Sequence, residues 1–409
     1  MKNVIVGQSG GPTAVINCSL AGVYATALEH GDKMGKVLGM RNGIQGLMER
    51  RYVDMGEYIR DDFDVEILKR TPSSFLGSCR YKLPDPKQNE AVFEKVFGIL
   101  NELEVGYFFY IGGNDSMDTI NKLHTYGEKI GSPIRFLGVP KTVDNDLAVT
   151  DHSPGFGSAA KYVATSTKEL ILDARVYNNG AVTIVEAMGR NTGWLAASAA
   201  LAKGPDSIGP DLVFLPEIAF DLDGFLDKVS ILAQQKGHSP VIVVSEGIQL
   251  ADGRYVSELG REDVPSDAFG HIQLMGTASY LAQQVRNKLG AKVRAVEFAT
   301  LQRSAAHLQS QVDAIGAFAV GQHAVNAAAE GETNKVIIFK RLSSRPYAFE
   351  TCSMELAKMA NIEKHVPLEW ITPTKDHVTQ DYIDYALPLI QGEVAPYFVN
   401  GMPRHIRLP

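Results

Sequence analysis

Cysteine is scarce. Cys18, Cys79 and Cys352 are the only three in 409 residues. They lie far apart and lack the spacing of a metal site. An odd, sparse set excludes a disulfide-stapled secreted scaffold and fits reduced thiols in a cytoplasm. Long apolar runs are also missing. Stretches such as Tyr107 to Ile111 and Val241 to Val244 fall far short of the ~20 residues that span a bilayer, so no membrane association is expected. The opening Met1-Lys2-Asn3 runs straight into Val4-Ile5-Val6-Gly7, without the charged, apolar and small-residue regions of a signal peptide. Positive charge is in deficit as well. With 40 Lys and Arg against 47 Asp and Glu, the net charge is -7, and no Lys/Arg run offers a surface to nucleic acid. An anionic ligand would need cations gathered locally against the overall charge.

What is present is ordinary globular composition, 45% hydrophobic and 21% charged, long enough for two or three domains with cores of their own. Apolar runs of strand length alternate with amphipathic stretches. The strands are expected at Asn3 to Gly7, Lys36 to Met40, Gly106 to Ile111, Ile134 to Val139, Ala181 to Met188, Asp211 to Leu215, Pro240 to Ser245, Lys292 to Ala299 and Lys335 to Lys340. Helices are expected at Ala14 to Glu29, Glu90 to Glu104, Gly157 to Val176 and Thr277 to Leu289. Continuous Val/Ile runs joined by helices imply parallel sheets covered on both faces, an α/β architecture. A domain break is expected at Ser153-Pro154-Gly155, with a return to the first sheet after Arg303 and a departure near Pro367. From Leu368 on there is little strand character, only an acidic helical segment around Tyr382 to Ile390.

Ligands of open α/β sheets sit beyond the carboxyl ends of the strands, so the turns there carry the interest. Gly7-Gln8-Ser9-Gly10-Gly11-Pro12-Thr13 leads from strand to helix. It is either an anion cradle of backbone N–H groups or a tight turn. Gly112-Gly113-Asn114-Asp115-Ser116 is a second such turn, in which the polar residues are either a helix cap or a ligand contact. In Lys141-Thr142-Val143-Asp144-Asn145-Asp146, an extended backbone would put Asp144 and Asp146 on one side. That suits a general base beside a cation-holding group, with a solvated acidic loop as the alternative. Met188-Gly189-Arg190 and Ser245-Glu246-Gly247 end two later strands, where Arg190 can reach phosphate and Glu246 can accept from hydroxyls. Arg294 and Arg303 flank another strand and its loop, as ligand contacts or surface cations.

Gly-Gly-x-x-Ser at 112–116, Thr-x-Asp-Asn-Asp at 142–146 and Met-Gly-Arg at 188–190, in that order and spacing, resemble the phosphofructokinase family, and the match runs from Val4 to about Asp313. The resemblance implies two Rossmann-like parallel-sheet domains with helices on both faces and an active site in the cleft between them. Residues 1–154 with 304–366 would bind the phosphoryl donor, and residues 155–303 with 367–409 the sugar phosphate. It implies a magnesium-dependent transfer to the C1 hydroxyl of fructose 6-phosphate, a step of glycolysis in the cytoplasm. Gly11, Arg80, Asp115 and Ser116 would lie along the donor, and Asp144 would be the base. Asp146 and Asn114 would lie by the metal. Thr142, Lys141 and Arg190 would stabilise the transferring group, while Met188, Gly189, Glu246 and Arg303 would contact the sugar phosphate. Arg294 would reach the 6-phosphate of a neighbouring subunit, implying a homodimer or homotetramer.

Two positions decide the donor. ATP-using members carry glycine where this chain has Asp115 and Lys141, and the pyrophosphate-using members look like this chain. A carboxylate at 115 would crowd and repel a nucleotide's α-phosphate at a cost on the order of several kcal/mol, while Lys141 would neutralise a pyrophosphate oxygen. The chain departs from the family at Asn114, where most relatives have aspartate, at Ala181, in place of a second cross-subunit arginine, and at Thr300, in place of histidine or tyrosine. These departures open the pocket to a longer ketose phosphate such as sedoheptulose 7-phosphate. The alternatives are an ATP-dependent family member and, in a different class, an inactive regulatory or sugar-phosphate-binding subunit. The intact Asp144 and Asp146 beside Arg190 speak against the latter.

Overall fold

The computed structural model describes residues 1–176, 180–235, 237–259, 274, 276–359 and 362–409. In chain order the main strands are β1 (Lys2–Gln8), β2 (Met34–Met40), β3 (Tyr52–Asp54), β4 (Val105–Gly112), β5 (Arg135–Pro140), β6 (Val182–Ala187), β7 (Leu212–Phe214), β8 (Val241–Ser245), β9 (Val293–Glu297), β10 (Lys335–Ser344) and β11 (Tyr347–Glu355). The chain divides into two compact units. The first comprises Met1–Ser158, Arg303–Glu363 and Gln391–Pro409, and the second Ala159–Gln302 and Lys364–Ile390.

Among the described residues, the first unit holds a seven-stranded sheet of order β11-β10-β5-β4-β1-β2-β3. Its centre is parallel, from β2 through β1, β4 and β5 to β10. Its two edges are not, since β3 and β11 run antiparallel to their neighbours. The expectation of parallel sheets therefore needs correcting at the edges. The centre reads as continuous apolar sequence because both faces are covered. Val4 and Val6 pack with Ile16, Leu20 and Val320, whereas Ile5 points the other way among Phe93, Phe97 and Leu123, following the two-residue period of a strand. Edge strand β11 is half-buried along most of its length and has no such run, which is why the sequence does not announce it.

The helix Ile16–Glu29 pairs with Gln311–Glu330. The second of these has alanine and glycine on nearly every side and no polar stripe to mark it. The pair packs backbone to backbone, and a Cβ at Gly22 would lie only 2.2 Å from the Phe318 carbonyl oxygen. In the second unit, β7-β8-β6-β9 form a four-stranded, all-parallel sheet among the described residues. Ile184, Phe214, Phe225, Val244 and Leu281 pack together as its core. None of the described helices is long and apolar enough to cross a membrane.

The C-terminal residues correct the expected division. Residues 367–390 belong with the second unit, but 391–409 return to the first. They are held there by polar and aromatic contacts that hydropathy does not register. Arg70 donates to the Ala395 carbonyl at 2.9 Å and stacks over Tyr397, 4.6 Å from the ring centre. The Ile406 N–H donates to the Thr71 hydroxyl at 3.1 Å.

Candidate active site

The first unit gathers charge at the ends of β1, β4 and β5. After β1 the chain turns through Gly10, whose φ of +75° suits glycine. The Lys141 ammonium, at the end of β5, donates to the Gly11 carbonyl at 2.6 Å. On the far side, a Cβ at Gly11 would sit 3.0 Å from an Arg303 guanidinium nitrogen, so any larger residue would push that arginine away. Lys141 is only 3% exposed. Burial pushes its pKa down to about 8, with Asp144 and Asp146 pulling it up and Arg303 and Arg80 pushing it further down. Two carboxylates and two guanidinium groups thus act on one buried ammonium.

The Asp144–Asp146 turn is built differently from the extended strand expected of it. Asn145 takes a left-handed conformation, with φ at +55°, which asparagine tolerates better than most residues. It is fully buried, and its side-chain oxygen accepts the Ser153 N–H at 2.9 Å. The residue between the two carboxylates is thus locked to the scaffold, and both carboxylates act on Lys141. The Thr142 hydroxyl accepts the Asp144 N–H at 3.1 Å and lies 3.4 Å from its carboxylate.

At the end of β4, Gly113 itself occupies the cap position of the helix Asn114–Lys129, and no side chain caps that helix. The capping reading of Asn114, Asp115 and Ser116 therefore falls away. Asp115 stands in the first turn, where the helix N-terminus favours negative charge. Its half-exposed carboxylate lies 4.0 Å from the Lys82 ammonium. Asn114 turns a buried side-chain oxygen inward that has no hydrogen-bond partner. Ser116 is 2% exposed, and a Cβ at Gly112 would land 1.9 Å from its hydroxyl. The Ser116 hydroxyl is thus packed against Gly112, which leaves that position to glycine. Arg80 is exposed on a loop that Ser78 ties to the Gly10 carbonyl at 2.6 Å.

In the second unit, β6 and β8 end in register, with Ala187 opposite Ser245, so their following turns meet. The Gly189 N–H donates to Glu246 at 3.3 Å and the Ser245 hydroxyl donates to the Gly189 carbonyl at 2.5 Å. Gly189 has φ +136°, and a Cβ at Gly247 would lie 1.8 Å from the Arg190 carbonyl, so neither position admits a side chain. The Met188 N–H donates to Gln302 at 3.3 Å, and the Gly193 N–H to Glu217 at 2.8 Å. Burial raises the pKa of Glu217 against these backbone N–H groups. Gln302 and Glu217 escape a reading of the sequence because their role is to hold backbone, which leaves no motif.

Arg294 is not brought to this turn. On β9 it pairs opposite Thr183, four positions before the end of β6. That places it roughly 13 Å below the strand ends at ~3.3 Å per residue. There it lies 3.4 Å from the Asp173 carboxylate, partly exposed. Arg303, expected at the sugar phosphate, lies beside Gly11 and acts on Lys141.

Comparison with known proteins places this arrangement. Residues 3–328 match the profile of the phosphofructokinase family. This chain belongs to that family. A pyrophosphate–fructose 6-phosphate 1-phosphotransferase of Halomonas elongata is 41% identical, over 99% of this chain and 96% of its own length. One from Xanthomonas campestris is 43% identical over 99% and 96%. The crystal structure of a pyrophosphate-dependent phosphofructokinase from Nitrosospira multiformis superposes with a TM-score of 0.89 at 38% identity, covering 99% of this chain and 96% of that one. The phosphofructokinase fold thus extends over both units, including the parts of the chain beyond the family profile.

Proposed function

We propose that this chain transfers a phosphoryl group reversibly from pyrophosphate to the C1 hydroxyl of fructose 6-phosphate, yielding fructose 1,6-bisphosphate and phosphate. The observation that carries the donor assignment is Lys141. Its ammonium is buried against the Gly11 turn, where a compact diphosphate can meet it, and Asp115 puts a carboxylate at the start of the adjoining helix. The relatives named for this activity support the same reading.

Asp144 takes the C1 proton as the sugar oxygen attacks the nearer phosphorus, and the bridging P–O bond breaks to release phosphate. The Thr142 hydroxyl fixes Asp144 through its backbone N–H. Lys141, Arg303 and Arg80 carry the charge of the departing phosphate, and Arg190 that of the transferring group, by positioned electrostatics. Met188, Gly189 and Glu246 receive the sugar. A partner subunit's copy of Arg294 reaches the 6-phosphate, which requires a homodimer or homotetramer. Magnesium fits the site because hard cations favour oxygen donors and often keep only one or two protein carboxylates beside substrate phosphates. Asp146 and the inward oxygen of Asn114 would hold it, and no cluster of three or more acidic, histidine or cysteine ligands exists among the described residues. Once bound, it would neutralise diphosphate charge. The unpaired Cys18, Cys79 and Cys352 suit work in the cytoplasm.

Initial rates with pyrophosphate and with ATP, each against fructose 6-phosphate and sedoheptulose 7-phosphate, test the assignment. Turnover with ATP alone would overturn it. In the double variant D115G/K141G, kcat/KM for pyrophosphate should fall by about 100-fold, roughly the loss of one strong charged contact, while ATP use rises.

A further inference from the structure

We infer that Asp313 is a positioning residue for the phosphoryl-transfer turn, acting through Gly155. This rests on the reading of Asp144 and Thr142 given above. Asp313 is 2% exposed, in the first turn of the helix Gln311–Glu330. Its carboxylate accepts the Gly155 N–H at 2.9 Å with one oxygen. The other oxygen accepts the Ser158 N–H at 2.8 Å and the Ser158 hydroxyl at 2.6 Å. Ser158 in turn accepts the Ser310 N–H at 3.1 Å, which ties the beginning of one helix to the first turn of the other, Phe156–Ala174.

Gly155 is where the donor half of the site converges. It bridges to Thr142 in a parallel pairing, and the Thr142 N–H donates to the Pro154 carbonyl at 3.2 Å. Its φ is +110°, and a Cβ there would lie 2.7 Å from the Thr13 methyl, so the turn after β1 rests on the same residue. One buried carboxylate thus fixes the height of the Thr142–Asp144 turn against the donor turn. A merely structural carboxylate would serve as well anywhere in the helix cap. This one is bonded to the single glycine on which both functional turns bear. A buried charge accepting three hydrogen bonds is costly to replace, and losing such an outer support in other sites costs roughly 10–100-fold in activity.

The test uses the full-length enzyme, after turnover of pyrophosphate with fructose 6-phosphate has been established for the unaltered chain. Absence of that turnover would count against the function and not against this inference. In D313N an amide –NH2 meets two donors from Ser158. We expect kcat, normalised to folded protein, to drop about 30-fold, within the range for outer supports, with KM for fructose 6-phosphate changed less than twofold. Hydrogen exchange at the Thr142 and Gly155 amides should accelerate. Should D313N fail to fold, S158A carries the test, since it removes the hydroxyl's bonds to Asp313 and to the Ser310 N–H and leaves the charge with two N–H partners. It should lower kcat by about threefold and leave KM alone. Wild-type kcat in either folded variant, or loss of activity proportional to loss of folded protein, would overturn the inference.

Discussion

The two units build their strand-end turns from different material. In the first unit, side chains do the work. Lys141 feels Asp144, Asp146, Arg303 and Arg80, and burial is the largest of the influences that bring its pKa down to about 8. In the second unit, backbone does the work. The Met188–Gly193 segment is pinned by Gln302, Glu246 and Glu217 through its N–H groups, and its glycines exclude side chains. A group that moves charge needs charges fixed in advance, whereas a group that recognises hydroxyls needs a fixed shape. Arg294 stands apart from the second unit's turns, on the edge strand β9.

The contrast can be broken most severely at Asp144. D144A should lose turnover by at least about 10²- to 10⁴-fold, the usual contribution of a general base, while calorimetry still shows fructose 6-phosphate binding. Near-normal activity would remove Asp144 from the mechanism. R294A should raise KM for fructose 6-phosphate by about 10- to 100-fold, in line with one charged phosphate contact. Mixing inactive D144A with R294A subunits should restore part of the activity, because one hybrid site then has both residues. No recovery on mixing, with oligomers confirmed by sedimentation, would mean that Arg294 works within its own chain or not at all.

A smaller effect is expected from pH. The folded pKa of Lys141, about 8, lies below its ordinary 10.5, so the ammonium is complete well below pH 8, half present at that pH and lost as pH rises further. The kcat/KM for pyrophosphate, which reports the free enzyme, should fall by about tenfold per pH unit beyond that point. K141R should remove this limb, and an unchanged profile in that variant would detach the limb from Lys141. Smallest is the tail. R70A loses the Ala395 bond and the Tyr397 stack, and should lower Tm by about 2–4 °C for about 1 kcal/mol, with kcat unaffected.

Much of this was legible in the sequence because it is written in continuous apolar runs. Each expected strand is present within a few residues, and the glycine turns sit at strand ends as anticipated. Edge strand β11 was not legible, since a half-buried strand has no clear period of its own. The location of Arg303 was not legible either. Its neighbours in space, Gly11 and Lys141, are far away in sequence, and only the closed fold brings them together. The same is true of Asp313, which looks like an ordinary first-turn acid of its own helix until the Gly155 and Ser158 amides are seen at its tip. At the Asp144–Asp146 turn the extended backbone that was assumed is replaced by a left-handed Asn145, which the pattern of residues did not announce.

The polypeptide passes between its two units four times, after Ser158, Gln302, Glu363 and Ile390. The first unit therefore draws on the opening residues and on the last ones, and it cannot be completed during synthesis until Arg70 and Thr71 have met a tail made hundreds of residues later. Emerging from the ribosome, the opening strands must wait with β10 and β11 unmade while all four strands of the second unit are already translated. Neither unit can be excised by cutting the gene at one point, and a premature stop anywhere before residue 391 leaves the first unit unfinished.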